Sequence, residues 1–112
     1  MTKYIVIYHA PAEAWDATSS TPKEREESMK AWMQWASDCG DNLVELGAPL
    51  MHGVQMNPDG TSKSSDKNVM GYSILQAENM DKVRALLINH PHLKWNETCT
   101  IEVHEVMAIP GM

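Results

Sequence analysis

The sequence predicts an α+β domain whose elements run β-α-β-β-α-β. Three observations predict it. A β-branched and aromatic run opens the chain, Lys3 to Tyr8, reading K-Y-I-V-I-Y. A capped helical segment follows it after a polar loop. Two further strand-like runs and a second short helical segment then precede a final strand-like run. The 112 residues suit a single domain over 1–112, with one core.

The first strand, Lys3–Tyr8, is ended by His9-Ala10-Pro11, and a polar loop holding Trp15 follows. Thr21-Pro22-Lys23-Glu24 has the residues of a helix start: Thr as N-cap, Pro in the first turn, and Glu three residues after the cap. Apolar or small residues then recur in steps of three and four at Met29, Trp32, Met33, Ala36, Gly40, Leu43 and Gly47. The helix therefore either runs to Leu46 with Gly47 as its C-terminal cap or breaks at Gly40. Ala48–Met56 reads as the second strand, with Pro49 suiting an edge. Asn57-Pro58-Asp59-Gly60 is turn chemistry, and a polar tract from Thr61 to Asn68 extends the loop to a third strand, Val69–Ala77. Asn79 caps a second helix over Met80–Asn89, which His90-Pro91 stops. His92–Trp95 reads as a linker, Thr100–Met107 as the fourth strand, and Ala108–Met112 as a tail.

This order is the ferredoxin-like split βαβ arrangement, with both helices on one face of a four-stranded antiparallel sheet and the first and third strands central. The first strand is apolar on both faces, Tyr4, Val6 and Tyr8 on one and Ile5 and Ile7 on the other; the third strand is similar. Two helices cover one face only. The expectation is a homodimer stacked sheet to sheet, a dimeric α+β barrel. The alternative is a monomer whose open face is covered by the hairpin loop and the tail.

A net charge of −6 argues against nucleic-acid binding, and no apolar run approaches the length of a membrane span. The N-terminal stretch has no typical signal peptide, so a cytoplasmic location is expected. Cys39 and Cys99 are too few for a disulfide scaffold and are expected to be reduced and structural. Glycine-rich nucleotide loops, H-E-x-x-H, C-x-x-C and G-x-S-x-G are all missing from the sequence.

The chain resembles the YCII-related (YCII/DGPF-like) family of the dimeric α+β barrel superfamily. The likeness rests on K-Y-I-V-I-Y-H, T-P-K-E-R, L-G-A-P-L, P-D-G-T, G-Y-S-I-L-Q-A-E-N-M-D-K-V and I-E-V-H-E-V, in that order over nearly the full length. It implies the fold and the dimer. Some family members are thought to use a His-Asp pair with the His near the start of the first helix. No His lies between Thr21 and Gly47 here; Ser28 and Met29 stand in that region. The Asp-Gly-Pro-Phe motif of the DGPF subgroup is missing too, and the chain contains no Phe. Catalysis is therefore not carried over with the resemblance.

The chemistry-bearing residues are the five histidines, His9, His52, His90, His92 and His104, and their neighbours. Glu102 and His104 are two apart on a strand that should pair with the strand ending in His9, so the pair shares a sheet face. His9, Glu102 and His104 are the candidates for acid–base catalysis; the competing reading is a solvent-facing edge pair or a satisfied histidine at the dimer interface. Trp15, Trp35, His92 and Trp95 are candidates to line a ligand cleft between sheet and helices. His90-Pro91-His92 lacks a third metal ligand, so no metal and no cofactor is expected, and His90 is read as capping carbonyls at the end of the second helix. Two functions stay open: a dimeric module binding a small organic molecule, and a cofactor-independent enzyme, oxygenase-like or an acid–base catalyst.

Overall fold

The computed structural model describes residues 1–11 and 21–110. The main sheet holds β1 (Thr2–His9), β2 (Leu43–Pro49), β5 (Val69–Ala77) and β6 (Thr100–Glu105), in the order β2-β5-β1-β6. Each neighbouring pair is antiparallel. Among the described residues, three helices, α1 (Pro22–Cys39), α2 (Met80–Leu87) and α3 (Pro91–Trp95), complete the α+β architecture expected from the sequence. β1 and β5 are central, and β2 and β6 are the edges.

At the start of α1, Thr21 Oγ1 accepts the Glu24 N–H at 3.1 Å and Pro22 occupies the first turn. The helix ends at Cys39 rather than Leu46. Gly40 leaves it with φ +54°, and a 3-10 turn over Gly40–Asn42 leads into β2. The second strand of the sheet therefore begins at Leu43, not Ala48. The spacing of Leu43 and Gly47 belongs to a strand with two register shifts against β5, not to a helix. Gly47 has φ +82°, and a Cβ there would collide with the Tyr72 carbonyl oxygen, so the strand's irregular course requires glycine at this point.

Val54–Met56, expected in the second strand, instead forms β3 of a separate two-stranded ribbon with β4 (Ser62–Ser64). Its turn is the expected one: the Gly60 N–H donates to the Asn57 carbonyl, and Asp59 Oδ1 accepts from the Thr61 N–H and hydroxyl. α2 stops at Leu87 and β6 at Glu105, each two residues short of the expected Asn89 and Met107.

The core lies between helices and sheet. Tyr4, Val6, Tyr8, Leu75 and Ala77 meet Trp35 and Cys39 of α1 and Val83 and Leu87 of α2. Burying an aliphatic or aromatic side chain of this size contributes about 1.5–3 kcal/mol. Two hydroxyls caught here are satisfied in series: the Tyr8 hydroxyl donates to Ser73 Oγ at 2.7 Å, which donates to the Leu46 carbonyl at 2.6 Å. On the opposite face of the sheet, Ile5 pairs with Ile74 and Ile7 with Tyr72. All four are only half-buried.

Candidate functional site

Strand alternation puts Ile5, Ile7 and His9 on the face away from the helices. β6 runs antiparallel beside them, so His104 sits opposite Ile5, Glu102 opposite Ile7 and Thr100 opposite His9. The three residues proposed from sequence for acid–base chemistry thus meet on one face. His104 Nε2 donates to Glu102 Oε1 at 2.7 Å, and the same oxygen lies 4.0 Å from His9 Nε2. The hydrogen bond from His104 holds the Glu102 carboxyl below its usual range.

His9 is the better-anchored imidazole. Its side chain is 21% exposed, against 57% for His104. Its Nδ1 lies 2.7 Å from the Lys67 carbonyl oxygen. A carbonyl only accepts, so Nδ1 carries the hydrogen and the neutral ring keeps a lone pair on Nε2. That Nε2 is itself buried and has no hydrogen-bond partner.

A cleft of about 280 Å³ opens here, at the C-terminal end of β1, lined by His9, Ala10, Lys67, Thr98, Thr100 and Glu102 among others. Its size is at the lower bound of ordinary small-molecule sites. Thr98 is held by an Asx turn, its N–H and hydroxyl both donating to Asn96 Oδ1. The Ala10 N–H bonds the Asn68 carbonyl, carrying the β1–β5 pairing past His9 to the rim. The location differs from the expected one. The space between sheet and helices is filled by Tyr8, Trp35 and His90, so the cleft lies at the strand ends instead.

The other candidates take different places. Trp35 is a core residue, and its Nε1–H donates to the Leu86 carbonyl at 2.8 Å. His92 is buried behind the cleft: its Nε2 donates to the His9 carbonyl at 2.9 Å, and burial lowers its pKa. Trp95 is half-buried and packs with Ala10 and Cys99, backing the wall of the cleft. Trp15 lies outside the described residues.

The His90 backbone N–H donates to the Leu87 carbonyl at the end of α2, but its imidazole does not cap that helix. Its Nδ1 accepts the His92 N–H at 2.9 Å, making it the N-cap of α3, the segment read as a linker. The ring is fully buried among Tyr8, Trp32 and Trp35, with centroids 5.0, 4.4 and 4.3 Å away. Desolvation pushes its pKa down to about 3, so the imidazole is neutral. Among the described residues, no group of three or more His, Cys, Asp or Glu side chains is placed to hold a metal ion. Cys39 and Cys99 are buried free thiols, and burial raises both pKa values, Cys39 to about 11. That environment disfavours a reactive thiolate.

Sequence reasoning missed the Lys67 carbonyl, Thr98 and Thr100. The first is a backbone atom with no sequence mark. Asn96-Glu97-Thr98 has an Asx-turn pattern that could have pointed to the second.

No helix among the described residues is long and apolar enough to cross a membrane. No family model and no curated protein matches the chain. Among solved structures it is similar to 5-chloro-2-hydroxyhydroquinone dehydrochlorinase from Burkholderia phenoliruptrix AC1100, in complex with 2,5-dihydroxybenzoquinone. The TM-score is 0.57 at 17% identity, covering 96% of this chain and 94% of that one. At this identity the likeness is one of fold.

Proposed function

We propose that this chain is a YCII-related protein that works as a homodimer and binds a small organic molecule in the cleft at the end of β1. The observation that carries the reading is the unpartnered Nε2 of His9, held in one tautomer by the Lys67 carbonyl and set in the cleft wall beside Glu102. A structural neighbour with a quinone bound supports small-molecule binding on this fold.

Support for the dimer comes from the half-buried Ile5, Ile7, Tyr72 and Ile74 on the face away from the helices. A cytoplasmic setting belongs to the same reading.

A second reading is favoured by the His9 tautomer. A neutral imidazole with a free Nε2 lone pair, oriented by a backbone carbonyl, is arranged as a general base, and Glu102 with His104 would stabilise the imidazolium that forms. On this reading the protein is a cofactor-independent acid–base catalyst. Native mass spectrometry of the purified protein with a mixture of small hydroxylated, acidic and basic aromatics tests the binding reading. Adducts on the wild type that disappear in His9→Phe support it. Adducts of equal intensity in both proteins would place binding elsewhere.

A further inference from the structure

We infer that the cleft is built for a neutral molecule carrying two neighbouring hydroxyl groups, held between His9 Nε2 and Glu102 Oε1; this rests on the binding reading above. The convergent polar atoms are acceptors. The hydrogen of His9 is committed to the Lys67 carbonyl, leaving a lone pair on Nε2. Glu102 is an ionised, acceptor-only group whose Oε1 already receives one hydrogen from His104. Thr98, which also lines the cleft, gives its hydroxyl hydrogen to Asn96, so that oxygen is left only to accept.

His9 Nε2 and Glu102 Oε1 are 4.0 Å apart, too far for a direct hydrogen bond, and neither has a hydrogen for the other while His9 is neutral. What satisfies both is a ligand that donates twice. One hydroxyl has one hydrogen and serves one acceptor; two hydroxyls on adjacent carbons serve both.

Charge selects against the alternatives. A carboxylate or phosphate brings more acceptors and meets the Glu102 charge. A cationic amine would have to give up its hydration to reach Nε2, which is itself buried. A neutral ligand avoids both the repulsion and this desolvation cost. Ala10 and Pro11 supply the apolar part of the wall. His9 Nε2 is itself buried, so a ligand reaches it only when side chains at the cleft rim move, the 56% exposed Glu102 among them.

The test is an NMR titration of protein carrying 15N-labelled histidine with four probes under reducing conditions: catechol, 1,2-dimethoxybenzene, benzoate and benzylamine. Catechol is expected to shift the His9 ring nitrogens, with the other three binding at least roughly tenfold more weakly and Glu102→Gln weakening catechol by roughly tenfold. Benzoate or benzylamine shifting His9 as tightly as catechol would overturn the proposed ligand class and leave the binding site standing. Equal binding of catechol and its dimethyl ether would overturn the hydrogen-bonding argument in the same way. If none of the four moves His9 at millimolar concentration, both the ligand class and the binding reading fail.

Discussion

His9, the last residue of β1, gives its Nδ1 hydrogen to the backbone carbonyl of Lys67 at 2.7 Å. The bond crosses from the end of a central strand to the loop before its neighbour β5, and it decides which nitrogen of the ring faces Glu102. A side chain at this position could have met the cleft with either a donor or an acceptor. The Lys67 carbonyl makes it an acceptor.

The tautomer is directly observable. Two-bond 1H–15N correlation spectra above neutral pH should show His9 protonated on Nδ1 and bare on Nε2. The opposite tautomer would remove the acceptor on which both functional readings depend.

His90 predicts a pH dependence of stability. Its folded pKa is about 3 against an ordinary value of 6.5. Above pH 6.5 the imidazole is neutral in both states and its contribution is fully present. Below that the unfolded chain takes up a proton that the native state refuses, so stability falls by about 1.4 kcal/mol per pH unit until the folded pKa is reached. In His90→Asn, which can still cap the His92 N–H, this proton drops out of the linkage. Urea denaturation should find the variant about 2–3 kcal/mol less stable at neutral pH, through the lost aromatic packing. The gap should shrink on acidification to pH 5. A constant gap would show that His90 is not buried neutral.

Two glycines separate backbone strain from crowding. Gly47 and Gly60 both have positive φ, but only Gly47 faces the Tyr72 carbonyl; Gly60 has open space around it. Gly60→Ala should cost about 1–2 kcal/mol. Gly47→Ala should cost clearly more, because the β2–β5 pairing has to open to admit the methyl group. Thermal unfolding of both variants compares them, and equal losses would contradict the described course of β2.

The open sheet face predicts the assembly. Light scattering should give a mass of twice 12.6 kDa, and Ile7→Glu should lower it to the single-chain value or make the protein insoluble. A monomeric wild type at micromolar concentration would end the dimer reading.

How far the sequence reached is clearest at particular residues. The capping chemistry of Thr21-Pro22-Lys23-Glu24 marked the start of α1 because it is local. Its end was ambiguous because Gly40 and Gly47 both continue a helical spacing. Gly40 terminates the helix, and Gly47 serves an irregular strand whose course is set by contact with β5. Strand alternation was enough to put Glu102 and His104 on one face, while the β1–β6 register, which the sequence does not state, brings His9 to it. Alternation carried no information about a backbone carbonyl from the Lys67 loop. His90 was read from its neighbour Pro91 as the end of α2. Its surroundings come instead from β1 and α1, where Tyr8, Trp32 and Trp35 enclose the ring. Periodicity in one segment does not show which distant aromatics will close on it.

Crystallographic fragment screening tests most directly whether the cleft at the end of β1 is the ligand site. The account predicts that small polar fragments collect between His9 and Glu102, within hydrogen-bond distance of His9 Nε2, with the Glu102 side chain rotated. Fragments confined to other surfaces, such as the depression on α1 lined by Met29 and Met33, with none beside His9, would contradict it.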